Sequence, residues 1–183
     1  MPKIALMVAD GLEEIEGLTV TDVIRRAKYD IDMVSIMETK NIVSSHKICF
    51  EADKMFDEVN FDEYDAIVLP GGLGGTNNLI AHEGLAKVLL DFAAKGKLVA
   101  AICAAPSVLG GLHILEGKKA TCYPGFEDKL LGATYVSQGA VTDGNVITAR
   151  GMGASIDFAL AIVAYFSDEN TAKELGKTFM YGV

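Results

Sequence analysis

Cys103 stands where a short apolar run ends and a helix begins. Residues 98–102 are typical of a buried strand, and Pro106 suits the first turn of a helix, where its missing N–H costs nothing. Ala101 and Ala105 flank the cysteine two residues away on either side, and Ala104 follows it, as a sharp strand-to-helix turn, or nucleophile elbow, requires. A nearby helix amino terminus favours the thiolate, so the sequence predicts a reactive Cys103 with a lowered pKa. The alternative is a buried structural cysteine.

Acidic residues open the first predicted helix at Glu13, Glu14 and Glu16. The helix dipole explains such residues in general, because each carboxylate there contributes about 0.3–1 kcal/mol. Glu16 has a second interpretation, since it follows the loop after the first strand and can face the cysteine. A neighbouring thiolate and burial would raise its pKa and make it a proton carrier near neutral pH.

Composition limits the classes of function. A chain of 183 residues with a net charge of −9 is large enough for one domain and unsuited to nucleic acid or anionic membranes. No apolar stretch reaches the length of a membrane span, and the first residues resemble a strand and not a signal peptide. Three widely spaced cysteines without a CxxC pair favour reduced thiols in a cytoplasm.

Strand and helix patterns alternate along the whole chain, which predicts an α/β fold with a mainly parallel sheet covered by helices on both faces. The predicted strands are 3–9, 31–37, 66–70, 98–102, 119–122, 135–141 and 145–149, the last two forming a hairpin, with short extended pieces over 41–56. The predicted helices are 13–27, 85–94, 155–166 and 169–179. The turns at 10–11, 71–72 and 103–104 each follow a strand and are expected to converge on one site.

The glycine-rich segment 69–75 also follows a strand. It lacks the GKS or GKT ending of a phosphate-binding loop and the GxGxxG spacing of a dinucleotide site. A better explanation is that the glycines let the backbone of this segment come close to Cys103, where a free N–H can help to form an oxyanion hole. The histidines, His46, His82 and His113, lack metal-ligand spacing, so no zinc site is expected, and the last two are expected at the surface.

Five motifs, taken in order, resemble the ThiJ/PfpI superfamily, and within it the branch of the Parkinson's-disease-linked protein deglycase and bacterial YajL. The likeness runs over nearly the whole chain. The segments that carry it are DGLEEIE (10–16), DVIRRA (22–27), YDAIVLPGG (64–72), AAICAAP (100–106) and RGMG (150–153).

The resemblance implies a flavodoxin-like sandwich, a single domain over 1–183 and a cofactor-free homodimer. By the same resemblance, Cys103 is the oxidation-sensitive cysteine and Glu16 the protonated glutamate that hydrogen-bonds it. Gly72 and Ala104 are expected to supply backbone N–H donors. Arg26 is expected to approach the active site of the neighbouring subunit.

The chain departs from this branch at the pocket. Tyr123 stands where the disease-linked deglycase has a histidine before a proline, which removes the obvious general base. Met152, after Gly151, replaces the proline of the usual Arg-Gly-Pro-Gly loop. His46 aligns with an arginine of a basic cluster, so we expect a less cationic site.

Three functions compete on these observations. The first is an enzyme of the glyoxalase or protein deglycase type, acting on a small reactive aldehyde or on a glycated thiol or amine. The second is a sensor of oxidative stress or a redox chaperone, in which Cys103 is oxidised. The third is a cysteine peptidase, which is disfavoured because Ala104 occupies the place where that branch has a histidine.

Overall fold

The alternating pattern folds into a central sheet with helices on either side. The computed structural model describes residues 1–183. The strands are β1 (Lys3–Val8), β2 (Asp30–Ser35), β3 (Asn41–Val43), β4 (Cys49–Glu51), β5 (Lys54–Met55), β6 (Ala66–Leu69), β7 (Leu98–Ile102), β8 (Lys119–Ala120), β9 (Thr134–Tyr135), β10 (Ala140–Asp143) and β11 (Val146–Ala149). The helices are α1 (Glu14–Arg26), α2 (Leu73–Ala81), α3 (Glu83–Ala94), α4 (Pro106–Gly111), α5 (Ser155–Phe166) and α6 (Glu169–Thr178).

Seven strands form the main sheet in the order β10-β11-β7-β6-β1-β2-β5. All neighbours pair in parallel except β10 and β11, which form the expected antiparallel hairpin. The chain moves from β1 to β2 in one direction and later adds β6 and β7 on the other side of β1. The direction in which strands are added therefore reverses beside β1. Open parallel sheets bind ligands at the carboxyl ends of the strands where this reversal occurs.

Side chains of the strands alternate between two separate cores. In β1, Ile4, Leu6 and Val8 pack with α1, α5 and α6, whereas Ala5 and Met7 pack with α2, α3 and α4. Both faces of the sheet are thus covered, which explains why the strands are almost wholly apolar. None of the helices is both long and apolar enough to span a membrane.

Local differences from the sequence-based prediction have clear causes. Helix α2 was not predicted, because Gly74 and Gly75 in its first turn weaken any helical pattern. The predicted strand over 135–141 is wrong in its bounds: the pairing strand is Ala140–Asp143, and residues 134–135 pair with β8 in a small separate sheet. His82 is half-buried, contrary to prediction, because its Nδ1 accepts the Leu85 N–H at 2.9 Å and caps α3.

Helix α4 packs so closely on a neighbouring turn that only glycine fits at Gly110. A Cβ there would lie 2.1 Å from the carbonyl oxygen of Lys129, whereas a Cβ at Gly111 meets nothing within 4 Å. We expect Gly110→Ala to lower the free energy of unfolding by about 1–3 kcal/mol, since backbone must move. Gly111→Ala, the matched control, should leave it unchanged or raise it by up to about 1 kcal/mol. Urea unfolding measures both, and equal effects would contradict the packing argument.

Candidate active site

Cys103 follows β7 in a strained backbone conformation. Its φ is +67°, in the left-handed region that a residue with a side chain rarely adopts. The cysteine N–H donates to the carbonyl of Ala149 at 2.9 Å, and its carbonyl accepts the N–H of Tyr123 at 2.8 Å. These two bonds hold the strained turn from both sides. Pro106 is the first residue of α4, as the sequence predicts for an elbow.

Glu16 lies on α1 and is completely buried. Its Oε2 accepts the N–H of Gly71 at 2.8 Å, while Oε1 has no strong hydrogen-bond partner. A Cβ built at Gly71 would lie 2.5 Å from the Cys103 Cβ and 2.6 Å from Glu16 Oε2. The bare Gly71 backbone is therefore wedged against both side chains, and the carboxyl and the thiol are neighbours.

Burial governs the charge of the glutamate. Desolvation, the largest cause, raises the pKa of Glu16 from its ordinary 4.5 to about 7, and the charge of Glu13 raises it further. Hydrogen bonds from the Gly71 N–H and the Cys103 thiol oppose that rise in pKa. A carboxyl group that titrates near neutrality can accept and release a proton at physiological pH.

The predicted lowering of the Cys103 pKa is wrong. Desolvation, followed by the charge of Glu16, raises the pKa of the thiol to about 12. Hydrogen bonds from the backbone N–H groups of Gly72 and Ala104 lower it, but they do not outweigh burial beside a carboxylate. Burial and the neighbouring charge both disfavour a second negative charge, so at most one negative charge is shared between the two groups.

The two other cysteines differ in exposure. Cys49 is exposed on β4 because the β3–β4 hairpin stands apart from the main sheet. Cys122 is buried, and desolvation raises its pKa to about 11. Exposure alone therefore does not single out Cys103, and its distinguishing feature is the adjacent carboxyl group.

Three of the predicted pocket residues line one cavity beside the elbow. Tyr123, Gly151 and Met152 enclose a space of about 520 Å³, together with Arg150 and Asp157. The Tyr123 ring packs on the Gly151 backbone, where an added Cβ would lie 3.2 Å from it. Since the Tyr123 N–H also binds the Cys103 carbonyl, Tyr123 connects the cavity wall to the backbone of the elbow.

His46 is placed on the other side, at the start of α1. Its ring is 66% exposed, and Nδ1 lies 2.9 Å from a Glu14 oxygen and 3.8 Å from a Glu13 oxygen. The ligand atoms of these residues lie within 4.8 Å of one another, a spacing that a divalent cation can use. Ordinary pairing of the exposed imidazole with its carboxylates explains the cluster equally well.

Within one subunit, Arg26 lies far from the Glu16–Cys103 site. It lies at the far end of α1, about 15 Å along the helix axis from Glu16 at 1.5 Å per residue. Its Nε pairs with Asp22 at 2.7 Å, and its guanidinium packs on the ring of Phe179. Any role of Arg26 in catalysis must therefore come from another copy of the chain.

Sequence reasoning missed the part played by Gly71, Arg150 and Asp157. Gly71 was visible as the first glycine after β6, but only the three-dimensional contact shows that its N–H binds Glu16. Asp157 lies on α5 and carried no motif; its carboxylate accepts the hydroxyl of Tyr181 at 2.5 Å. Such a contact between distant segments leaves no local sequence signal.

Residues 2–165 match the family described as DJ-1/PfpI. The chain belongs to the DJ-1/PfpI family. It is similar to the solved structure titled "Toxoplasma gondii DJ-1, oxidized", with a TM-score of 0.95 and 31% identity over 100% of both chains. This likeness confirms the flavodoxin-like α/β arrangement that the motifs implied.

Relatives of this chain include plant and archaeal proteins. "Protein DJ-1 homolog B" of Arabidopsis thaliana is 39% identical over 96% of the chain, which spans only 40% of that relative. A protein of Pyrococcus horikoshii that is named a deglycase is 30% identical, over 81% of the chain and 89% of its own length.

The buried carboxyl group predicts an unusual dependence of stability on pH. The pKa of Glu16 is raised on folding, so the folded protein binds this proton more tightly and loses stability as pH rises from about 4.5 to about 7. Glu16→Gln removes the titration. The difference in free energy of unfolding between this variant and the parent should therefore shift in favour of the variant by about 2.5 kcal/mol between pH 5 and pH 8. Urea unfolding at both pH values measures this.

The control for that comparison is Glu169→Gln, which removes an exposed carboxylate from α6. It should keep the pH dependence of the parent. If Glu16→Gln and the parent respond to pH alike, Glu16 titrates at its ordinary pKa and the buried pair does not share one charge.

Proposed function

We propose that the protein is a cofactor-free, cysteine-dependent enzyme acting on reactive carbonyls, of the glyoxalase or deglycase type. The observation that carries the proposal is the buried contact between the Cys103 thiol and a Glu16 carboxyl whose pKa is about 7. Membership of a family with a deglycase-named relative supports the same chemistry. The substrate class is a small α-oxoaldehyde, or the adduct of one with a thiol or amine.

Glu16 takes the place of the missing histidine base in the first step. As the Cys103 sulfur attacks the aldehyde carbon, the thiol proton passes to the Glu16 carboxylate and a carbon–sulfur bond forms. The aldehyde oxygen receives a proton in turn, which gives a hemithioacetal. The N–H groups of Gly72 and Ala104, which point at the sulfur, are suited to stabilise the oxygen while it carries negative charge.

The second step moves a proton between adjacent carbons. Glu16 removes the hydrogen from the former aldehyde carbon and returns a proton to the neighbouring carbon, which converts the hemithioacetal of methylglyoxal into a lactoyl thioester. Water then cleaves the thioester, releasing lactate and regenerating the thiol. No electron donor or acceptor is needed, because one carbon is oxidised as its neighbour is reduced.

A redox sensor is the second candidate function. It is favoured by the likeness to a Toxoplasma gondii DJ-1 structure whose title describes it as oxidized. Peroxide would convert the Cys103 thiolate to sulfenate and then sulfinate, releasing water at each stage, and a protonated Glu16 would donate a hydrogen bond to the new oxygen. Selective oxidation with little turnover distinguishes this function from catalysis.

A peptidase mechanism has less support. His46 pairs with Glu14, His82 caps α3, and His113 pairs with Glu116. A Cys-His dyad requires an imidazole within hydrogen-bond reach of the thiol, and these partners hold all three rings elsewhere.

The function predicts distinct effects for matched cysteine variants. Cys103→Ser should abolish conversion of methylglyoxal to lactate, whereas Cys49→Ser, a substitution at an exposed cysteine, should leave it intact. Glu16→Gln should lower turnover by about 10²-fold or more, the usual scale for losing a general acid–base group. Lactate formation at steady state measures all three variants. Full activity of Glu16→Gln would refute the proton shuttle.

We also propose that the chain is a homodimer. Helix α1 and the adjacent hairpin expose apolar side chains on neighbouring surfaces: Ile15 (46%), Leu18 (36%), Val43 (36%) and Ile48 (48%). The hairpin tip is joined to the start of α1 by the bond from the Ser45 N–H to the Leu12 carbonyl. A second copy covering this face would remove apolar surface from water beside the site.

Light scattering should therefore give about twice the chain mass of 19.5 kDa at micromolar concentration. Leu18→Glu should yield monomers, because it places a charge in the proposed interface. Ile80→Glu, a charge at an exposed apolar residue on α2 outside this face, should leave the dimer intact. A monomeric parent protein would refute the assembly.

A further inference from the structure

A second cavity lies at the same edge of the sheet, on the opposite side of β1 from the order reversal. It has a volume of about 650 Å³ and is lined by residues after β1 and β2, by residues at and after the end of β5, and by Asn41 and His82. None of these residues belongs to the Glu16–Cys103 site. Cavities of roughly 300–1,000 Å³ are typical of small-molecule sites, and the carboxyl edge of parallel strands is where α/β proteins bind ligands. We call this space the β2 cavity.

The apolar part of the β2 cavity is held rigidly. Met37, Met55 and Phe56 are half-buried on its wall. The Phe56 ring packs on His82, with ring centroids 4.5 Å apart. Because His82 Nδ1 accepts the Leu85 N–H as the cap of α3, the imidazole cannot turn away from that ring. An aromatic face and two polarisable thioethers are therefore available to an apolar ligand.

The polar part of the β2 cavity is acidic. Asp10, Glu38 and Asp57 line it, and no lysine or arginine does. Glu38 and Asp57 form no ion pair, while Asp10 uses one carboxylate oxygen to accept the Val43 N–H at 2.9 Å. Lys40, between two lining residues, instead pairs with Glu58 at 3.1 Å. Phosphates and carboxylates are repelled from such a cavity, and cations are attracted.

We propose that the β2 cavity binds an organic ammonium ion that carries an aromatic or alkyl body. The body would pack on Met37, Met55 and Phe56, and the ammonium group would lie near Asp57 and Glu38. A cation placed over the Phe56 ring gains further stabilisation from the ring electrons. This site is separate from the proposed carbonyl chemistry and does not depend on it.

The test titrates the full-length protein with phenethylammonium and follows backbone amide shifts by NMR. We expect shifts at Met37, Asp57 and His82, and weaker binding at higher salt because the attraction is between charges. Two probes of similar shape serve as controls, the neutral 2-phenylethanol and the anionic 3-phenylpropionate. Both should bind at least about fivefold more weakly, because one partly exposed charge interaction contributes about that factor to affinity.

Substitutions decide whether the carboxylates or the apolar wall recognise the probe. The double variant Glu38→Gln, Asp57→Asn should weaken phenethylammonium binding by about fivefold, and Phe56→Leu should weaken it as well. Glu169→Gln, which removes the same kind of charge from α6, should leave the affinity unchanged. Equal affinity for the neutral probe, shifts confined to other surfaces, or displacement of the amine by Mg²⁺ alone would overturn the proposal.

Discussion

The candidate site depends on a contact that only a residue without a side chain permits. Gly71 lies against the Cys103 Cβ on one side and the Glu16 carboxylate on the other, and its N–H binds that carboxylate at 2.8 Å. Three elements converge there, because the glycine follows β6, the cysteine follows β7 and the glutamate lies on α1. Any side chain at this position would push the thiol and the carboxyl apart, so their contact requires a glycine here.

Burial gives the pair its properties, and it does so at a cost to stability. Desolvation raises both pKa values, and the charge of Glu16 raises that of Cys103 further. The Glu16–Cys103 pair therefore carries at most one negative charge near neutral pH. The N–H groups of Gly72 and Ala104 lower the pKa of the thiol but do not reverse this, and α4, with six residues, is short. In the proposed mechanism the thiol is therefore activated by a base that shares its pocket and not by a low intrinsic pKa.

The sequence predicted the structure correctly where the local pattern of apolar residues matches burial in the fold. It did not predict features that depend on contacts between distant segments. The apolar strands, the elbow at Cys103 and the acidic start of α1 follow from residue order alone. Glycines hid α2, and the burial of the thiol beside a carboxylate was visible only in three dimensions. Cys49 looked like a strand cysteine and is one, but its hairpin packs outside the main sheet, so that strand pattern did not imply burial.

The strain at Cys103 indicates how the fold supports such a site. A non-glycine residue at φ +67° costs about 1–3 kcal/mol and persists only where its surroundings determine the conformation. Here the surroundings are parts of the sheet: the carbonyl of Ala149 at the end of β11 accepts the cysteine N–H, and the Tyr123 N–H binds its carbonyl. Because β7 and β11 are wholly buried, relaxing the turn would disturb the core. The packed strands therefore hold the thiol in place against the glutamate.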